Sequence, residues 1–128
     1  MLQIRRNHLL ILTAWGESAM GLSLLAIPGI PLRLLIGLEQ ASAETVFITR
    51  IAGAALLAIG TGCWLGRNDQ LCPAQRGLIA GVLIYSAAVA GLLVYARLGL
   101  NLVGIANWPA VAVHAVLSIG CVFSLWSR

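Results

Sequence analysis

Charge is scarce in this chain and lysine is absent: Asp, Glu, Lys and Arg together make up 9% of its 128 residues, and all eight basic residues are arginine. With 60% hydrophobic residues and a mean hydropathy of +0.96, there is too little polar surface to coat a water-soluble fold of this size. The arginines fall in ones and twos, without a basic stripe, so the net charge of +4 carries topology rather than a nucleic-acid interface. The three cysteines, Cys63, Cys72 and Cys121, lack metal-binding spacing and are expected as free thiols toward one reducing side. The two histidines, His8 and His114, stand too far apart to ligate one haem or a compact metal site. There is no phosphate-binding glycine loop, no H-E-x-x-H, and no nucleophile with a base and an orienter. No catalytic residue, metal or cofactor is therefore assigned.

What the chain does have is long apolar runs without period-2 alternation, the pattern of membrane-spanning helices rather than a barrel. The expected architecture is an all-α integral membrane protein, a four-transmembrane-helix bundle forming a single domain over 1–128. Its spans are placed at about 8–27, 46–65, 77–95 and 105–126, each long enough for a ~30 Å hydrocarbon core. Pro28, Gly29 and Pro31 stop the first span. The following stretch, PLRLLIGLEQASAE, is too short to cross and is expected to lie in the interface as a turn or two of helix between spans one and two. Pro109 falls in the first turn of span four, where its missing N–H costs little. Short second and third connections predict spans two to four as antiparallel neighbours.

Arg5, Arg6, Arg67, Arg76 and Arg128 fall on one side, and Arg33, Arg50 and Arg97 on or near the other. This asymmetry predicts both termini on the cytoplasmic side of a bacterial inner membrane. The opening Arg5-Arg6 and the Ala41-Ser42-Ala43 run imitate a cleavable leader, but Glu17 interrupts its apolar core, and an uncleaved first span is expected.

Glu17 is the most informative position, because it lies ~13 Å along the helix from His8 and so near the bilayer midplane. A carboxylate at that depth has to be paired or protonated, and such groups mark proton or substrate pathways as well as structural bonds. His114 in span four, and Tyr85 with Ser86 in span three, reach similar depth, and Thr13 lies one turn from Glu17 on the same face. A buried polar layer of Glu17, Tyr85 and His114, flanked by Thr13, is therefore expected. A bonded interior imidazole is the plainer account of His114. Arg50, about one turn inside its boundary, either snorkels and pairs with Glu39 or Glu44, or descends to join the layer. Asn107, Ala110, His114, Ser118 and Cys121 form a polar and small stripe expected to face the interior.

Small residues carry the packing: Gly77 and Gly81 form a G-x-x-x-G, and Ala54, Ala58 and Gly62 recur every four residues beside Gly53 and Thr61. These faces suit packing inside the chain or against a partner. Trp64, Trp108 and Trp126 read as interfacial anchors, and Trp15 as packed within the protein.

The runs GLSLLAIPGIPLRLLIG and TRIAGAALLAIGTGCWLGR, the Tyr85-bearing third helix and WPAVAVH resemble small four-span bacterial proteins of unknown function in the DoxX-like group. That resemblance implies an inner-membrane four-helix bundle, sometimes an accessory to a redox or maturation system; it transfers no catalytic residue, and Cys-x-x-Cys is absent. The lone Glu17 in the first of four short spans is similar to the small multidrug-resistance exporters, whose carboxylate exchanges protons for cationic substrate across a dimer. Their Trp-rich pattern is missing here, and the first outer loop is larger. Ala110-x-x-x-His114 is similar to the A-x-x-x-H of bacterial light-harvesting helices, a resemblance that implies a chlorin ligated by His114.

The expectation drawn from these features is a non-catalytic accessory or assembly subunit, whose partners are the lipid bilayer and a membrane protein or further copies of the chain. The competing expectation is a small proton-coupled transporter with Glu17 as the carrier carboxylate and His114 or Tyr85 as its partner.

Overall fold

A computed structural model describes residues 2–126, with side chains from residue 6 onward. Of the arginines used for orientation, Arg128 lies outside the described residues, as does the side chain of Arg5. The described residues form five helices and no strand: α1 (Leu2–Ala26), α2 (Gly29–Ile36), α3 (Ala43–Gly66), α4 (Pro73–Leu98) and α5 (Asn107–Trp126). Segments Arg6–Ala26, Ala43–Gly66, Pro73–Leu98 and Asn107–Trp126 are each long and apolar enough to cross a membrane, the signature of a multi-pass membrane protein. Large apolar side chains, among them Phe47, Ile48, Ile84, Leu92, Val116 and Phe123, stand exposed on the outside, where only lipid solvates them favourably.

Local chemistry sets the helix ends. Ser42 caps α3 by accepting from the Thr45 N–H at 3.2 Å, which starts that helix a turn earlier than its apolar run. Cys72 does the same for α4 with the Gln75 N–H, and Pro73 occupies the first turn. The short segment after Pro28 is the two-turn helix α2, closed by Gly37 in the left-handed region at φ 72°, with the Leu38 N–H reaching back to the Leu32 carbonyl. A side chain at Gly37 would strike the Val103 carbonyl.

The helices associate as two tight pairs, α1 with α3 and α4 with α5. The spans two and three of the sequence, α3 and α4, touch only sparsely, so the expectation that all three later spans are close neighbours holds for α4 and α5 alone. Shape decides this. Along α3 the inward positions Thr49, Gly53, Leu56, Gly60 and Cys63 recur at alternating steps of four and three. Two of them are glycines that let the α1 backbone in: a Cβ on Gly21 would lie 2.7 Å from the Gly53 carbonyl oxygen, one on Gly53 2.8 Å from that of Gly21, and one on Gly60 would collide with Ser18.

The predicted packing residues divide accordingly. Gly53 is buried, Gly62 meets only a Leu78 methyl at ordinary distance, and Ala54, Ala58, Gly77 and Gly81 are exposed, with nothing within 4 Å of a Cβ on Gly77 or Gly81. The faces they form point out of the fold because the neighbouring positions, one helical step away, already make the internal contact.

Between the pairs, Leu9, Leu10, Ala14, Cys63, Ile79, Val82 and Cys121 form a buried apolar plug toward the arginine-rich end. The thiols of Cys63, Cys72 and Cys121 are free. Gln75, 2% exposed, donates to the Gly66 and Asp69 carbonyls at 3.0 and 2.9 Å, tying the start of α4 to the end of α3. At the opposite end Asn107, fully buried, donates to the carbonyls of Leu35 and Leu93, both at 3.3 Å, while the Ala106 N–H bonds the Leu34 carbonyl. The α4–α5 connection is thereby docked on α2, and α5 begins at Asn107 rather than Ile105.

Gly53→Val and Gly60→Val should each push α1 from α3 and cost about 1–3 kcal/mol of stability through overpacking, whereas Gly81→Val should stay close to the parent. Unfolding in mixed micelles followed by circular dichroism reads the difference; equal loss at all three sites would refute the glycine-mediated contact.

Candidate functional site

Glu17 sits on the same face of α1 as Leu10, Thr13, Ala14 and Gly21, so the rotation that brings Gly21 against α3 also turns Glu17 inward. It is 5% exposed. Across the bundle, α4 directs Gln75, Ile79, Val82 and Ser86 inward at steps of four, three and four, and Tyr85 lies beside Ser86 near the middle of the helix. The Tyr85 hydroxyl donates to Glu17 Oε2 at 3.2 Å. Since α1 packs on α3 and α5, and α4 on the same two helices, this bond crosses the diagonal of the bundle.

His114 completes the layer from α5. Its ring meets Tyr85 edge to face, with centroids 5.7 Å apart and planes at 79°. Glu17 and His114 are thus linked through Tyr85, which stands between them. His114 Nδ1 is buried and has no hydrogen-bond partner among the described residues, as is also true of the Ser86 hydroxyl, itself fully buried. The Ser118 hydroxyl is spent on the His114 carbonyl at 2.8 Å.

The two residues expected to flank the layer differ in placement. Thr13 is buried, but its hydroxyl donates to the Leu9 carbonyl of its own helix at 2.9 Å and is not directed to Glu17. Arg50 is exposed, so of its two expected placements the one within the buried layer is not taken. The inner face of α3 passes through Thr49 and Gly53, and Arg50 is one residue, about 100° of helical rotation, away from Thr49. Trp15 is likewise outside, 67% exposed, against the expectation that it packs within the protein.

Two further buried polar residues carry weight: Gln75, which the sequence did not single out, and Asn107, which it placed in the interior stripe of α5 without showing its bonds. Gln75 and Asn107 both sit at helix starts, and the signal for each was local: Gln75 follows the capping Cys72 by three residues, and Asn107 immediately precedes Trp108-Pro109. Both serve the helix ends rather than the layer.

The arrangement offers a carboxyl group, a phenol and an imidazole in contact inside the membrane-spanning region, on three different helices. Each can hold or pass a proton, and the carboxyl group changes its charge when it does so. No group of three or more His, Cys, Asp or Glu side chains gathers among the described residues to hold a metal ion.

Tyr85→Phe removes the hydroxyl that bonds Glu17 while keeping the ring against His114. The variant should lose about 0.6–1.7 kcal/mol of stability, the usual worth of an interhelical bond in a membrane. It should also shift the infrared band of the Glu17 carboxyl group, identified by its disappearance in Glu17→Gln; an unmoved band would mean that the two groups do not bond in the membrane.

No protein-family model, curated protein or solved structure matches the chain.

Proposed function

We propose that this membrane protein is a small proton-coupled transporter in which Glu17 is the carrier carboxylate, with Tyr85 and His114 as its proton partners. The observation that carries this reading is the Tyr85–Glu17 hydrogen bond across the bundle diagonal. The two helix pairs are tightly packed within themselves and sparsely packed against each other. A polar bond across such a seam changes with the charge of Glu17, so uptake or loss of a proton there bears directly on how the pairs sit together. Exchange of that proton for a cation keeps the site neutral in both states, which avoids leaving a bare carboxylate in a medium of low dielectric. Rocking of one helix pair against the other is the motion that alternating access requires. The arginine asymmetry supports an orientation with both termini in the cytoplasm, and the reading places the protein in a bacterial inner membrane.

In proteoliposomes loaded with a pH-sensitive dye, addition of tetraphenylphosphonium should drive proton movement through the parent protein. Glu17→Gln should abolish that flux while keeping its helical content and oligomeric size. Flux that persists in Glu17→Gln, or no flux in the parent, would overturn the reading.

A second reading, a non-catalytic accessory or assembly subunit, is favoured by the small-residue faces of Ala54, Ala58, Gly77 and Gly81, all exposed. On that reading the protein extracted in mild detergent co-purifies stoichiometrically with a larger membrane protein, and Gly81→Val strips it from the complex without unfolding it.

A further inference from the structure

The close approach of α1 and α3 leaves a groove of about 320 Å³ on the outside of the bundle, lined by Ala14, Trp15, Ser18, Gly60, Thr61 and Trp64. Gly60 floors it because it has no side chain, and Trp15 and Trp64 meet edge to face at 6.3 Å and 83° along its side. Both rings stand out of the fold, 67% and 42% exposed, and the Thr61 hydroxyl is turned back to the Leu57 carbonyl at 2.7 Å, so little in the groove asks for water.

The end of the groove is of different character. The Arg67 guanidinium lies over the Trp64 ring, 3.8 Å from its centroid, and donates to the Trp64 carbonyl, which fixes a positive charge where the apolar wall ends. Asn7 bonds Asn68 at 3.5 Å, so the start of α1 and the end of α3 share this level, and Arg6 and Arg76, at the starts of α1 and α4, belong to the same end. Asp69 is the one acidic residue in the α3–α4 connection.

We propose that this groove binds one anionic phospholipid from the adjoining leaflet, with an acyl chain along Gly60 between α1 and α3 and the phosphate at Arg67. Charge complementarity selects the occupant. A zwitterionic lipid satisfies the apolar wall equally well but carries an ammonium beside its phosphate and so gains less from the cation, and a second copy of the chain would bring its own arginine-rich end to the same level only if it packed in parallel, arginine against arginine. The tryptophan pair supplies a wide, rigid apolar wall at little entropic cost, and the stacked arginine is held in place before the lipid arrives. The proposal does not depend on the transport reading, since neither Glu17 nor its partners line the groove.

The test uses the full chain carrying Trp108→Phe and Trp126→Phe, so that fluorescence reports Trp15 and Trp64 alone, in phosphatidylcholine nanodiscs of low ionic strength. Phosphatidylglycerol with brominated acyl chains should quench to half at about a fivefold lower mole fraction than brominated phosphatidylcholine, in line with one arginine near a membrane surface. Arg67→Gln should bring the two lipids to the same midpoint, and Arg97→Gln, at the other end of α4, should leave the preference intact. Raising the salt to 0.5 M should erase the preference without any mutation, which keeps the test decisive should Arg67→Gln misfold. Equal quenching by the two lipids at low salt would overturn the proposal as ordinary bulk-lipid contact. Absence of quenching by either would overturn it in favour of a groove covered by another copy.

Discussion

The contact on which the rest of the molecule depends is the backbone approach of α1 to α3 at Gly21, Gly53 and Gly60. Lipid tails are as apolar as leucine, so nothing comparable to the hydrophobic effect drives one spanning helix onto another, and close van der Waals packing has to do so instead. Glycine provides it by removing the side chains that would hold the backbones apart. The same approach sets the rotation of α1, and through it the inward direction of Glu17. It also shapes the outer groove flanked by Trp15 and Trp64, because the surface dips where Gly60 has no side chain.

The seam between the two helix pairs is held differently at three levels. Near the arginine-rich end an apolar plug that includes Leu10, Cys63, Ile79, Val82 and Cys121 fills it, and Gln75 ties the α3–α4 connection. At the far end Asn107 and the Ala106 N–H lock the α4–α5 connection onto α2. Between them lies the layer of Glu17, Tyr85 and His114, where the bonding partners are titratable side chains rather than fixed backbone groups. The ends are thus constrained by permanent hydrogen bonds and packing, and the middle by contacts whose strength follows protonation. That ordering places the responsive element where burial makes charge most consequential.

Much of this is legible in the sequence. Glu17, Tyr85 and His114 were picked out by depth alone, since a helix rises 1.5 Å per residue and the run boundaries are sharp. The short helix α2 followed from an apolar run too brief to cross between Pro28 and the polar stretch after Gly37. What depth leaves open is the helix face. Arg50 and Thr49 are adjacent in sequence, yet Thr49 is buried and Arg50 exposed. The Ala54/Ala58 and Gly77/Gly81 stripes look as suited to internal packing as Gly53 and Gly60, but only the latter meet another backbone. Trp15 is at a depth that suggests burial and is nevertheless outside.

The sequence by itself determined the number of long apolar helices, where each begins and ends to within a turn or so, and how far along its helix each polar group lies, because these depend on one-dimensional quantities: run length, capping residues and rise per residue. Only the tertiary structure decided which face of each helix turns inward, that α3 pairs with α1 rather than with the α4 that follows it, and that Tyr85 rather than Arg50 meets Glu17. The physical reason is that a membrane helix is apolar on its lipid side and its protein side alike. Hydrophobicity therefore no longer tells inside from outside, and the choice falls to shape and hydrogen bonding between segments distant in sequence.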